Sequence, residues 1–451
     1  QSARFSSDGQ MMVWSRAVSG SGDYAIFAAN PDEPASARLL WQGTGSVGPA
    51  DISDDGRTIL VIRGFSNQIN EVMLLDVASA TVRPLTIAGG QARYESPRFI
   101  RGDSSILAIS NNGSDVRRLV EIDVATGALR AISAELPWDI EDYQLSSDGR
   151  LLAYAVNEDG FSRVVIEEFE TRRVLAQPEL PRGVLTALDF SPDASQLAIG
   201  MSTATSAGDV WSHDVASGTL TRWTESELGD IDPTRLVEPA LIRFSSFDGL
   251  SVPAFVYRPA GASPIARLPV IIDIHGGPES QTRPGWNPGA QYFADTLNAV
   301  VILPNVRGSD GYGSRYLSLD NAEKREDSVK DIGALLDWIA EQPGLDPARV
   351  SVYGQSYGGY MSLAVMTHYS DRLAGGVARY GISNWISFLQ NTEAYRRDNR
   401  RAEYGDERDP AMRAIFEQIS PLNNVARITK PMLVMQGAND PRVPQSESDQ
   451  V

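Results

Sequence analysis

The 451-residue chain has no cysteine and only three histidines, His213, His275 and His368. The first absence excludes disulfides, thiol catalysis and thiolate metal sites. The second argues against a histidine-rich metal centre, and neither a metal nor a cofactor is expected. Long hydrophobic runs are missing too: no stretch of roughly 18 apolar residues occurs, so no membrane-spanning helix is expected. Positive charge is in deficit. Lys and Arg number 40 against 58 Asp and Glu, a net charge of −18. Such a balance disfavours nucleic acid or an anionic membrane as a partner and fits a soluble acidic surface. The chain starts at Gln1 with no signal-like segment, which leaves the compartment open between cytoplasmic and periplasmic or secreted. What remains is ordinary globular composition, 42% hydrophobic and 22% charged, with length for two or three domains.

The N-terminal half repeats. Phe5-Ser6-Ser7-Asp8-Gly9, Ile52-Ser53-Asp54-Asp55-Gly56, Phe99-Ile100-Arg101-Gly102-Asp103, Leu145-Ser146-Ser147-Asp148-Gly149 and Phe190-Ser191-Pro192-Asp193-Ala194 each precede a strand-like apolar run. Aspartates 8, 55, 103, 148 and 193 are 47, 48, 45 and 45 residues apart. That period suits a four-stranded propeller blade, and Asp-Gly supplies the positive-φ turn of a hairpin. Units with Asp103-Ser104 and Asp193-Ala194 lack the glycine and are expected to turn differently. Residues 1–235 therefore read as a β-propeller with at least five four-stranded blades, expected to be incomplete at the N-terminus. His213, beside the turn residue Asp214, reads as a surface or turn histidine. Glu167-Glu168 could grip a peptide amino terminus, but neighbours on a strand point to opposite faces, which favours an accidental pair.

Residues 236–451 read as an α/β domain. A hairpin (241–246 and 252–257) leads into apolar strands at 270–274, 299–303, 350–353, 376–378 and 432–435, alternating with helical stretches such as 328–339. This pattern predicts a parallel sheet covered on both faces, with functional groups at the strands' carboxyl ends. At the third of these ends stands Gly354-Gln355-Ser356-Tyr357-Gly358, a Gly-x-Ser-x-Gly nucleophile elbow: strand, tight turn, then a helix over about 357–368. The elbow exposes the Ser356 hydroxyl, and its glycines let strand and helix pass too closely for a Cβ. The Tyr357 N–H then lies at a helix N-terminus, suited to a developing oxyanion. His275-Gly276-Gly277-Pro278 supplies a second such donor, assigned to Gly277, with His275 read as holding this loop rather than as the base. Asn305-Val306-Arg307-Gly308-Ser309 reads as a supporting loop; Arg307 suits a buried pair better than a substrate contact. Asp440 follows a strand 84 residues after Ser356, where this fold places the acid that orients the base. No histidine follows it in the sequence.

In combination, the five propeller units, His275-Gly276-Gly277-Pro278, Asn305-Val306-Arg307-Gly308-Ser309, Gly354-Gln355-Ser356-Tyr357-Gly358-Gly359 and Gly437-Ala438-Asn439-Asp440 resemble the prolyl oligopeptidase family of serine peptidases. The His-Gly-Gly-Pro form is similar to the acylaminoacyl-peptidase branch. The resemblance implies Ser356 as nucleophile, Asp440 as triad acid, Tyr357 and Gly277 as the oxyanion hole, and a propeller that admits only short peptides. It also implies a histidine some tens of residues beyond Asp440, so the hydrolase domain is expected to lack its C-terminal end, with residues 446–451 opening its next helix. Trp385, Phe388 and Leu389, with Val443, can be read as an apolar wall for the substrate side chain or as ordinary core. The resemblance allows a homo-oligomer. The expected activity is serine peptidase; an esterase, or a catalytically dead binding scaffold if the histidine is absent, is the alternative.

Overall fold

In the computed structural model, residues 3–87, 90–263 and 265–451 are described. The chain divides into two compact units, one running to Glu141 and taking in Glu393–Glu403, the other comprising Asp142–Thr392 and Tyr404–Val451. Compactness thus splits the chain elsewhere than the change of composition near residue 235.

The first unit holds three antiparallel sheets of four strands each. Their strands are Ala3–Phe5, Met12–Ala17, Tyr24–Asn30 and Glu33–Gln42; Ser46–Ile52, Thr58–Gly64, Asn70–Asp76 and Val82–Pro84; and Tyr94–Ile100, Ser105–Ser110, Arg118–Asp123 and Leu129–Ala131. The repeat residues make the turns. Ser6 donates to Asp8 at 2.6 Å and Ser53 to Asp55 at 2.7 Å, while Gly9 and Gly56 close each turn at φ 70° and 69°. Without that serine and glycine, the third repeat turns through Arg101, Gly102 and Asp103, all at positive φ.

The second unit begins with two more blades. In the fifth (Val184–Phe190, Gln196–Thr203, Ser206–Asp214, Leu220–Arg222) the expected change of turn does not occur. Ala194 takes φ 58°, and its N–H bonds to the Ser191 carbonyl at 2.8 Å, as Gly149 does to Ser146. The three bonds that Asp193 accepts from Ser191 and Ser195 hold the turn without glycine. The fourth blade departs from the four-stranded expectation: its sheet has three strands, Ile140–Leu145, Leu151–Glu158 and Phe161–Glu168, plus one bridge between Glu167 and Val174. The Gln177 side chain explains this. Its amide bonds to both the N–H and the carbonyl of Ile166, at 3.0 Å each, standing in for the missing strand's backbone.

One further reading changes, that of His213, while the Glu167-Glu168 pair stays an accidental one. His213 is fully buried in the fifth blade rather than at the surface, its Nε2 donating to the Ala176 carbonyl at 3.1 Å. Glu167 and Glu168 are held by Arg172 and Arg173 respectively.

The α/β domain is one seven-stranded sheet, ordered Ala240–Ser245, Ser251–Tyr257, Val300–Pro304, Leu268–Ile274, Leu345–Gln355, Gly375–Arg379, Met432–Met435. The opening hairpin joins this sheet antiparallel, and the remaining five strands run parallel. The sheet is therefore mixed rather than wholly parallel. Its core packs strand residues such as Ile272 and Val352 against Val329, Ile332 and Leu336 of helix Asp327–Glu341 and Met361 and Val365 of helix Tyr357–Tyr369. The latter helix is buried on every side from Tyr357 to Thr367, because it packs between the face of the sheet and the helical segments Asp327–Glu341 and Pro421–Arg427. Cover is incomplete at the last strand, where Leu433 and Met435 are exposed.

Candidate active site

Ser356 stands at the corner between strand Leu345–Gln355 and helix Tyr357–Tyr369, at φ 57° and ψ −120°. Positive φ is strained for a serine, and the surroundings enforce it. Its N–H bonds to the Arg379 carbonyl at 2.9 Å, and its own carbonyl accepts the Tyr360 N–H at 3.1 Å as the first bond of the helix. The flanking glycines pass too close for side chains. A Cβ on Gly354 would lie 2.2 Å from the Gly358 oxygen, and one on Gly359 2.7 Å from the Arg379 oxygen.

The His275-Gly276-Gly277-Pro278 loop leaves the neighbouring strand and lies against this corner. A Cβ on Gly276 would be 3.4 Å from Ser356 Cβ and 3.8 Å from the Tyr357 nitrogen. Ser356, Tyr357 and the Gly276–Gly277 peptide are thus brought together. Gly277 takes φ 125° and turns the chain so tightly that a Cβ would sit 2.6 Å from the Glu279 nitrogen. His275 is bonded within these loops: Nδ1 donates to the Gly276 carbonyl at 2.8 Å, and Nε2 lies 2.9 Å from Ser309 Oγ, whose own proton goes to the Val306 carbonyl at 2.6 Å. Burial lowers its pKa below the ordinary histidine value. Both ring nitrogens are committed, so His275 ties the two loops together.

Asp440 lies past strand Met432–Met435, where its Oδ1 accepts the backbone N–H groups of Arg442 (2.8 Å) and Val443 (3.1 Å). The remaining histidine, His368, sits at the far end of the elbow helix and bonds to Glu326 at 2.8 Å. Arg307 is buried against Asp331 and Asp248.

Trp385, Phe388 and Leu389 lie on helix Trp385–Asn391 and are 0, 2 and 0% exposed; Val443 is 4% exposed. They join an aromatic cluster in which Trp385 packs against Tyr357, Tyr360, Tyr404 and Phe416. As the structure stands, these side chains present almost no surface to a ligand.

Sequence reading missed two features here. Tyr404 stacks on Tyr357 at 6.2 Å with 7° between the rings, and its hydroxyl donates to the Gly277 carbonyl at 3.0 Å. Asp320 and Arg325 form a fully buried ion pair under Tyr357. Neither carries a local motif; the only signal was tyrosine and arginine in a polar stretch. Beside the site opens a cavity of about 760 Å³, lined among others by Asp273, Gly277, Tyr353, Gln355 and Arg379. Burial pushes Asp273 up to about 6 there, against the opposing pull of Arg379. Among the described residues no cluster of metal-ligating side chains occurs, and no helix is long and apolar enough to cross a membrane.

A β-propeller followed by an α/β-hydrolase domain with a nucleophile elbow is the class that this fold and corner define. Residues 287–451, most of the α/β domain, match the prolyl oligopeptidase family. Dipeptidyl aminopeptidase BIII of Pseudoxanthomonas mexicana is 30% identical over 248 residues, 53% of this chain and 36% of that enzyme. Acylamino-acid-releasing enzyme of Mus musculus is 26% identical over 200 residues, 43% of this chain and 27% of that one. The matches thus span about a third of these relatives' length. A crystal structure of puromycin hydrolase superposes with a TM-score of 0.88 at 19% identity, covering 100% of this chain and 71% of that one, which bears on the fold.

Proposed function

We propose that this chain is the nucleophile-bearing part of a serine peptidase that hydrolyses short peptides through an acyl-enzyme on Ser356. The observation that carries this reading is the strained φ of Ser356 at a corner shared with the Tyr357 nitrogen and the Gly276–Gly277 peptide. In the proposed reaction the Ser356 oxygen attacks the scissile carbonyl and passes its proton to a base, which then protonates the leaving amine. The Tyr357 and Gly277 N–H groups receive the oxyanion. Water then attacks the acyl-enzyme and restores the serine. Asp440, pinned by two backbone donors, orients the base. Trp385, Phe388, Leu389 and Val443, being buried, take part in substrate choice only as the apolar support behind the Tyr357 corner, and residues 1–235 form the propeller that restricts substrates to short peptides.

The relatives' names support peptide hydrolysis, since the two quoted above are a dipeptidyl aminopeptidase and an acylamino-acid-releasing enzyme. One observation favours a second reading, a binding scaffold: each of the three histidines bonds to a group other than Ser356.

A fluorophosphonate probe with intact-mass readout, together with hydrolysis of short peptide anilides, separates the two. One adduct on Ser356, with hydrolysis that Ser356→Ala lowers by on the order of 10⁶, is the peptidase result. No adduct and no hydrolysis supports the scaffold. Hydrolysis of esters but not of peptides would replace peptidase by esterase.

A further inference from the structure

We propose that the buried Asp320–Arg325 pair is a positioning element for the Tyr357 side chain and, through it, for the Tyr357 N–H that faces the oxyanion. This deepens the peptidase reading and rests on it. The pair lies wholly out of solvent, as does Tyr357 at 1% exposure. The Tyr357 hydroxyl sits at the junction of three groups: Asp320 Oδ2 at 3.1 Å, Arg325 Nη1 at 3.2 Å and Ser328 Oγ at 3.1 Å. Burial raises its pKa, so it stays protonated and donates to the carboxylate. The Arg325 guanidinium also lies 5.3 Å from the Tyr357 ring centre and 4.9 Å from that of Tyr404, the ring stacked on it. One cation therefore contacts both rings as well as the hydroxyl.

The placement of the carboxylate is enforced from the other side. A Cβ on Gly308 would fall 2.3 Å from the Asp320 carboxyl carbon, so only glycine fits in the Arg307-Gly308-Ser309 loop. Asp320 Oδ1 is buried without a hydrogen-bond partner among the described residues. An ion pair that merely stabilised the domain would be a costly device, since replacing such a pair by packed apolar side chains is often neutral or better. Its site instead fixes the direction of a tyrosine whose backbone begins the elbow helix.

The charged groups acting on Asp320 are Arg325, which favours the carboxylate, and Glu279 and Asp331, which oppose it; Tyr357 donates to it. Burial is the largest influence and pushes Asp320 up to about 6. Above that pH the carboxylate draws in the tyrosine hydroxyl and the guanidinium; below it the attraction is lost.

Two measurements test this. In protein labelled with ¹⁵N-tyrosine, the Tyr357 amide resonance should move with a midpoint near pH 6 in the wild type and stay still in Asp320→Asn. This readout requires no activity, so it stands even if no hydrolysis is found and the peptidase reading falls. In steady-state hydrolysis, Asp320→Asn and Tyr357→Phe should each lower kcat about tenfold with KM little changed. The double variant should be no worse than either, because both remove the same link. Should Asp320→Asn fail to fold, Ser328→Ala removes another partner of the hydroxyl and should lower kcat three- to tenfold. An amide that ignores pH in the wild type, or losses that multiply in the double variant, would overturn the proposal.

Discussion

A Cβ built on Gly358 would lie 2.0 Å from the carbonyl oxygen of Ile274. The clash is with backbone, which no rotamer change can relieve, and the elbow helix packs against the neighbouring strand only because the residue is glycine. Gly358→Ala should therefore push that helix away and carry the Ser356 corner with it. The expected outcome is a loss of about 1–3 kcal/mol or more in urea unfolding, along with failure of a fluorophosphonate to label Ser356. A variant with the wild-type midpoint and full labelling would show that helix and strand have room to part.

Tyr404→Phe is a gentler probe of the same corner. It keeps the ring stacked on Tyr357 and removes the hydroxyl's bond to the Gly277 carbonyl. The Gly277 loop then loses one anchor worth about 0.5–1.5 kcal/mol. If that anchor holds the oxyanion geometry, kcat should fall up to about tenfold while thermal stability changes little. An unchanged kcat with a lowered melting point would assign the hydroxyl to structure alone.

The elbow, its two glycines and the loop against it were legible because each depends on neighbours in sequence. A strand-to-helix turn needs glycine at fixed offsets, and the Asp-Gly hairpins needed only a repeat to be seen. The fifth turn was misjudged because side-chain bonds to Asp193 replace glycine's freedom at Ala194, which composition does not reveal. The fourth blade's missing strand rests on the Gln177 amide, eleven residues from its partner Ile166. The Asp320–Arg325–Tyr357 group was invisible for a similar reason: Tyr357 is 32 residues from Arg325, and only the fold brings them together. His213 was misplaced because a turn aspartate beside it suggested solvent, whereas its strand faces the blade's interior.

Arg307 offers a test of what a buried pair is worth. Its guanidinium and backbone N–H both bond to Asp331, at 2.8 and 2.9 Å, with Asp331 fully buried. Arg307→Ala would leave a buried carboxylate without its countercharge and should cost about 3–5 kcal/mol. Replacing both partners, as in Arg307→Met with Asp331→Leu, should recover most of that loss. Urea titrations of the three proteins decide it; a double variant as unstable as the single one would mean that the pair, not the orphaned charge, carries the stability.

The pH dependence of the propeller's stability should trace partly to His213. Its Nε2–H donates to the Ala176 carbonyl, and Nδ1 is buried without a partner among the described residues. Protonating Nδ1 would place a charged N–H where nothing accepts it, so burial lowers the pKa below its ordinary 6.5. The unfolded chain takes up the proton near that ordinary value and the folded chain only at lower pH. The stabilising contribution is therefore complete above about pH 6.5 and is lost as pH falls through that value toward the folded pKa. Asp273 and Asp320, whose pKa values are raised, act in the opposite sense, so the His213 contribution has to be read by difference. His213→Gln retains an N–H for the Ala176 carbonyl but cannot titrate. Between pH 7.5 and 5.5 the wild type should lose more melting temperature than this variant does. Parallel curves across that range would mean that His213 takes its proton equally readily folded and unfolded, and that its burial has no bearing on acid stability.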